Sequence, residues 1–306
     1  MLYKLIYFFH ADYSWLNVFR YISFRTILSA LSSLILIFVF GQYAIKKLRT
    51  MQVGQHVRDD VPPNHKGKAG TPTMGGCLVL PVIMVSTFLW ADIQNIYLWL
   101  VMFVVFCYGL IGFVDDCLKN IKKNGRGLSI KSKFSLQVLV ALIVAFILHI
   151  YPGFDSRLYF PFLKTIAPDL GLWYILLTVF IIVGSSNAVN LTDGLDGLAI
   201  GPIIVAFTSY LVFTYLAGHV KIASYLQIPY VAGTGELSVL CGAVVGGGLG
   251  FLWYNAFPAE LFMGDVGSLP LGAALGTVAV ITKQEIVLIL VGGIFVVETL
   301  SVIFQV

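Results

Sequence analysis

Leu170-Gly-Leu-Trp-Tyr-Ile-Leu-Leu-Thr-Val-Phe180-Ile-Ile-Val-Gly-Ser-Ser-Asn187-Ala-Val-Asn190-Leu-Thr-Asp193-Gly-Leu-Asp196-Gly197 is the stretch on which the reading of the fold turns. Residues 170–187 are uncharged and mostly apolar, and as a helix they would extend about 27 Å, close to the thickness of a bilayer core. The closing residues, Asn187 to Gly197, carry two carboxylates, two carboxamides and a hydroxyl, and a second apolar run, 197–217, follows at once. Ionisable groups this close to hydrocarbon are costly and mark function by default. A hydrophilic turn does not need Asn187, Asn190, Asp193 and Asp196 together. The set suits a metal, a polyphosphate or a sugar.

The same pattern repeats along the 306 residues, which are 58% hydrophobic and only 11% charged, against roughly 25% charged in soluble domains. Nine spans can be drawn, at 26–45, 74–91, 96–114, 134–150, 170–187, 197–217, 237–254, 266–282 and 286–305. All are expected to be helices, because a helix satisfies its own backbone in lipid and none of the runs alternates as barrel strands would. The expected fold is therefore an all-α polytopic membrane protein forming one integral domain over 1–306. Residues 1–24 mix Trp15, Tyr3, Tyr7 and Tyr13 with Lys4 and Arg20, which suits an interfacial segment and no removable signal peptide. Cys77, Cys107, Cys117 and Cys241 match no zinc or redox spacing and read as small core residues. The outer connections, 151–169 and 218–236, are expected to form hairpins or interfacial helices. His149 and His219, on the outer side, read as structural or interfacial. Gly246-Gly247-Gly248 with Gly250 reads as close helix packing, because no Walker lysine follows. Glu298 reads as an intramembrane acid hydrogen-bonded to a neighbouring helix.

Basic residues give the orientation. Lys46, Lys47, Arg49, Arg58, Lys66 and Lys68 follow span 1, and Lys119, Lys122, Lys123, Arg126, Lys131 and Lys133 follow span 3. By alternation these lie on one side, taken as cytoplasmic, with the N-terminus outside. The net charge of +4 bears on this topology and implies no nucleic-acid partner. Asp59, Asp60, Asp115, Asp116, Asp193, Asp196 and Asp265 fall on the same side. A transport path would carry such groups through the membrane midplane. Gathered at one mouth, they suit an enzyme with a polar substrate from the cytoplasm and an apolar one from the bilayer.

Four inner segments carry the chemistry. Asp115-Asp116 closes span 3, with side chains about 100° apart on a helix, so that one can face a metal and the other a nucleophile. Downstream lysines or a bound cation are expected to offset their repulsion. Asp193 and Asp196, spaced i and i+3, would share one face of a helical turn. Asp265, in Phe262-Met-Gly-Asp265-Val-Gly-Ser268, is expected near a helix N-terminus, with Asn255 at the same mouth. Thr71 and Thr73, in Gly70-Thr-Pro-Thr-Met-Gly-Gly76, suit phosphate at a helix start, and Lys133 is a candidate counter-charge. Hard oxygen ligands without a His/Cys cluster favour Mg²⁺ or Mn²⁺ over zinc. Mg²⁺ with lysines is common equipment for moving a phosphoryl group.

On these residues the chain resembles the polyprenyl-phosphate N-acetylhexosamine-1-phosphate transferase superfamily, and within it the phospho-N-acetylmuramoyl-pentapeptide transferase branch. The matching segments are Gly70–Gly76, Phe113–Asp116, Asn187–Ala199, Asn255 and Phe262–Ser268. The resemblance implies a multi-pass enzyme of the bacterial inner membrane. It would pass phospho-MurNAc-pentapeptide from UDP-MurNAc-pentapeptide to undecaprenyl phosphate, giving lipid I and UMP, with Mg²⁺ as cofactor and a homodimer as the expected assembly. It places the metal position on Asp265, with Asp115 beside it, and the base role on Asp115 next to Asp116. Substrate positions fall on Lys68 or its neighbours, Asn190, Leu191, Asp193, Asp196, Asn255 and Phe262, with Lys133 on the phosphate side. Asn187, Thr71, Thr73 and, at the end of span 9, Gln305 complete the candidates from the residues themselves. The family pattern has ten helices and a His-rich loop after the ninth. Here the chain ends inside span 9, so it is expected to be truncated and to lack part of the pocket. The rival readings are a sister enzyme using UDP-GlcNAc, a transporter or lipid flippase, and a noncatalytic assembly protein.

Overall fold

Long uncharged stretches leave the backbone one economical solution, and the described residues adopt it almost throughout. The structure is a computed structural model describing residues 2–51, 71–121, 127–163 and 166–305. Among these, twelve α-helices follow one another: α1 (Leu2–Phe8), α2 (Ile22–Thr50), α3 (Gly76–Trp90), α4 (Ile96–Ile121), α5 (Ile130–Ile150), α6 (Trp173–Thr192), α7 (Ile200–Ala217), α8 (Val220–Leu226), α9 (Leu237–Asn255), α10 (Asp265–Ile281), α11 (Glu285–Val291) and α12 (Gly293–Gln305). Six of them, α2, α4, α5, α6, α7 and α9, are long and apolar enough to cross a bilayer. Phe38, Val39, Phe106, Phe146, Phe180, Val205 and Trp253 are exposed on their outer faces. Water would not tolerate so much apolar surface on a monomer, whereas lipid does. The protein is a multi-pass membrane protein.

Each of the nine apolar runs contains a helix, but three differ from a simple span. The run at 74–91 becomes α3, of 15 residues, and the run at 266–282 becomes α10, of 17 residues. At 1.5 Å per residue they cover about 22 and 25 Å, short of a core of about 30 Å. The run at 286–305 is two helices, α11 and α12, bent by 75°. The break falls at Gly292, which hydropathy does not register. Six helices thus meet the length criterion, or seven if the bent pair counts as one.

The core is organised around α10, in which every residue from Val266 to Ile281 is buried. It packs along α4 and α6, while α9 packs along α2 and α7. Close approach requires glycine where these helices meet. A Cβ on Gly112 of α4 would fall on the backbone of Asp265, and one on Gly76 of α3 would fall on that of Val266 and Gly267. In α9, a Cβ on Gly246 would overlap the backbone of Ala30 in α2. The glycines of α9 are therefore packing residues inside the bundle.

Short elements complete the ends. The connection 151–169 folds back through an antiparallel bridge between Arg157 and Asp169, and His219 caps α8. Lys4 reaches Asp92 at 2.7 Å. Arg25, buried in α2, forks onto Glu236 at 2.8 and 2.7 Å and onto the Trp90 carbonyl. Lys283 donates to the Asp155 carbonyl and lies over the rings of Phe154 and Tyr174. Glu298 of α12 is half-buried, and its side chain forms no hydrogen bond or ion pair with a described residue, contrary to its expected role as a helix-to-helix link.

Candidate active site

At the end of the bundle opposite Arg25 and Lys283, the last turns of α4, α6 and α9 meet the first turns of α3, α5 and α10. Serine starts α5: the Ser129 side chain accepts from the backbone N–H of Ser132 at 3.1 Å, an N-cap that directs the next turn, carrying Lys133, into the bundle. Gly264 enters α10 at φ +72. A Cβ there would meet Asp116 Oδ2 at 2.7 Å and Thr73 Oγ1 at 3.1 Å, so only glycine fits the backbone and the space.

Three carboxylates converge. One oxygen from each of Asp115, Asp116 and Asp265 lies within 4.8 Å of the others, and both residues of the pair are buried. Their roles in the fold differ, as their angular separation on α4 suggests. Asp116 Oδ2 accepts from the backbone N–H of Val266 at 3.2 Å, capping α10, where a negative charge is favoured. Asp115 Oδ1 accepts from the Leu128 N–H at 2.6 Å.

Two ammonium groups bridge the carboxylates. Lys119 Nζ stands 2.7 Å from Asp115 Oδ2, 2.8 Å from Asp265 Oδ2 and 3.5 Å from Asp116 Oδ1. Lys133 Nζ stands 2.6 Å from Asp265 Oδ2 and 3.3 Å from Asp115 Oδ2. The expected charge compensation is thus made by one lysine on α4 and one on α5. Lys119 was not among the candidate site residues. Its spacing from the pair, i+3 and i+4, was the readable signal.

The neighbouring polar residues hold this cluster in place. Asn190 Nδ2 donates to Asp265 Oδ1 at 2.7 Å and to Ser268 Oγ at 2.8 Å; Ser268 too is a site residue beyond the candidate set. Asp193 caps the C-terminus of α6 and lies beside the backbone of Gly264. Burial, with the charges of Asp265 and Asp116, pushes its carboxyl well above the usual range. Asp196 accepts from the Ala259 N–H at 3.2 Å. The helical turn expected to join Asp193 and Asp196 does not form: α6 ends at Thr192, and Gly197 takes φ +73. The two aspartates instead meet different points of the 256–264 loop. Asn255, 2% exposed, accepts from Gly197 N–H at 3.1 Å and donates to the Leu261 carbonyl at 2.8 Å, joining that loop to the 193–199 turn.

Thr71 and Thr73 are half-buried on a segment that pairs with the same loop, through Phe262 N–H to the Pro72 carbonyl at 2.9 Å and Gly75 N–H to the Phe262 carbonyl at 2.8 Å. Leu191 is exposed at the rim. Asn187 faces α5 and bonds Gln137. Gln305, exposed at the end of α12, bonds Ser301 at 3.0 Å and makes no hydrogen bond or ion pair with the cluster among the described residues. Lys68 lies outside the described residues.

The donor set suits a hard divalent cation. It consists of carboxylate oxygens, with no His or Cys among the described residues that gather there. The lysines give the site a second capability, that of holding phosphate oxygens.

Comparison with known proteins places the chain in context. The family model for glycosyl transferase family 4 matches residues 98–283, more than half of the chain, and phospho-N-acetylmuramoyl-pentapeptide-transferase signature 1 matches residues 68–78. The chain is 58% identical over its full length to a phospho-N-acetylmuramoyl-pentapeptide-transferase of Syntrophus aciditrophicus (strain SB), covering 85% of that protein. It is 56% identical to the one of Geobacter sp. (strain M21), covering 86%, and 52% identical to the one of Desulforapulum autotrophicum, covering 85%, again over all of its own residues.

Proposed function

The chain belongs to the phospho-N-acetylmuramoyl-pentapeptide-transferase family, and from that premise we propose that it moves phospho-MurNAc-pentapeptide from UDP-MurNAc-pentapeptide to undecaprenyl phosphate, releasing UMP and leaving lipid I in the inner membrane. The observation that carries this reading is the cluster of Asp115, Asp116 and Asp265 bridged by Lys119 and Lys133 at one end of an apolar bundle. A site at the mouth suits a polar donor from the cytoplasm meeting a lipid from the bilayer. A transport path would set its charges at mid-membrane.

The mechanism we favour is direct attack. An oxygen of the lipid phosphate forms a bond to the β-phosphorus of the UDP-sugar, the bond from that phosphorus to the bridging oxygen breaks, and UMP leaves. Asp115 accepts or holds a proton of the lipid phosphate. Its Leu128 N–H bond fixes one oxygen and leaves the other toward the lysines. Lys119 and Lys133 exchange carboxylate partners for phosphoryl oxygens, which neutralises charge at the reacting phosphorus. Asn190 keeps Asp265 oriented. Asp265, with Asp115, would hold Mg²⁺, which when bound supplies Lewis-acid stabilisation of the diphosphate oxygens. Asp193, Asp196, Asn255 and Phe262 shape the nucleotide side through the 256–264 loop.

The test is UMP release by the enzyme with UDP-MurNAc-pentapeptide, undecaprenyl phosphate and Mg²⁺, alongside a panel of other UDP-sugars. Turnover with UDP-GlcNAc in preference would move the chain to the sister chemistry. Lys119→Met is expected to lower kcat about 10- to 100-fold, the value of a charge-assisted hydrogen bond or two, with little change in thermal melting. Lys133 still bridges Asp115 and Asp265 in that variant. An unchanged kcat would remove Lys119 from the mechanism.

A further inference from the structure

Asn187 sits on α6 one turn before Asn190. Its Nδ2 donates to the Val183 carbonyl at 2.8 Å and to Gln137 Oε1 at 2.8 Å. The backbone carbonyl is a fixed acceptor, so it settles which end of the carboxamide is nitrogen. An amide NH₂ has two hydrogens, and both are used. The atom left over is Oδ1, on a half-buried residue, and no described residue donates to it.

Gln137 is the partner that completes this arrangement. It is fully buried in α5, one turn beyond Lys133, and its backbone carbonyl accepts from the Tyr108 hydroxyl at 2.9 Å. With Oε1 turned to Asn187, its Nε2 is buried and has no partner among the described residues. An unpaired NH₂ inside a membrane bundle is unfavourable, and an apolar side chain of the same length would avoid it. What the carboxamide supplies at that position is Oε1, aimed at Asn187.

Resting on the reaction proposed above, we infer that Gln137 is a positioning residue: it holds the Asn187 carboxamide with its oxygen outward, to accept a hydrogen bond from the sugar-nucleotide substrate. The two substrates differ in what they offer such an oxygen. The sugar nucleotide carries hydroxyl and amide N–H donors. A polyprenyl phosphate offers at most the one acidic proton that the proposed reaction passes to Asp115, and no hydroxyl or amide donor besides. The Gln137–Asn187 pair therefore sets affinity for the sugar nucleotide and not for the lipid.

The experiment is steady-state UMP release at varied concentrations of each substrate, for Gln137→Met, Asn187→Ala and the double variant, with thermal melting of each. Gln137→Met is expected to raise KM for the UDP-sugar about three- to tenfold, the worth of one hydrogen bond. KM for the polyprenyl phosphate and the melting temperature should stay put. The double variant should be no worse than Asn187→Ala, because Gln137 acts only through Asn187. Gln137→Glu keeps an acceptor oxygen in the same volume and should retain the wild-type KM. The inference is overturned by an unchanged UDP-sugar KM in Gln137→Met, by both KM values rising together, by additive effects in the double variant, or by Gln137→Glu behaving as Gln137→Met does. An inactive wild-type enzyme would instead refute the proposed reaction.

Discussion

Asp265→Asn is expected to reduce UMP release about a thousandfold, equivalent to roughly 4 kcal/mol of transition-state stabilisation. The size follows from how much converges on this one carboxylate. Its Oδ2 accepts from Lys119 at 2.8 Å and Lys133 at 2.6 Å, and its Oδ1 accepts from Asn190 at 2.7 Å. An asparagine would turn an NH₂ toward one of these donor groups and remove a charge from the three-carboxylate set that suits a divalent cation. Two readouts separate the causes. The Mg²⁺ concentration for half-maximal rate should rise, while thermal melting should fall only modestly, because Asp116 still caps α10. A loss of less than tenfold, with unchanged Mg²⁺ dependence, would remove Asp265 from the metal position.

Asp115→Asn is expected to lower kcat by about 10² to 10⁴, the usual contribution of a positioned general base, with the KM values changed little. The asparagine oxygen can still accept from Leu128 N–H, so the α4 end and residues 127–129 keep their connection. Asp265 Oδ2 remains as a partner for both lysines. What disappears is a group able to take the lipid phosphate's proton. The same variant distinguishes the direct route from a covalent one. Under direct attack, no phosphoryl group accumulates on wild-type enzyme given the UDP-sugar alone, and no UMP forms before lipid is added. A UMP burst without lipid, abolished in Asp115→Asn, would establish a covalent nucleophile instead.

Much of this site was legible in the chain because its signals are local. Asp115-Asp116 at the end of an apolar run, Asp265 before another, and Asn190 with Asp193 between two runs each announce polar chemistry at a membrane boundary. The lysine partners were less legible. From sequence, Lys133 reads as a counter-charge, whereas Lys119 is one of six basic residues downstream of the pair, set apart only by its i+3 and i+4 spacing. Its function depends on Asp265, 146 residues away in the chain. The same holds for Asn255. Both ends of its carboxamide bond backbone, at Gly197 and Leu261, a partnership that the sequence does not display. A sequence lists donors and acceptors but not which of them the fold has already spent.

The apolar runs alone determined an all-helical membrane protein, because hydrocarbon forbids unsatisfied backbone whatever the partners are. The spacing of polar residues at the run boundaries likewise determined which residues could act. Tertiary packing decided the rest. It made α3 and α10 too short to cross the bilayer by length alone and bent the last apolar run by 75°. It brought the start of α10 against Gly112 and Gly76, so that Asp265 meets Asp115 and Asp116. Hydrophobicity is a property of each residue and can be read one position at a time. The meeting of carboxylates from α4 and α10 with lysines from α4 and α5 depends on how closely backbones approach, and that distance exists only in the folded bundle.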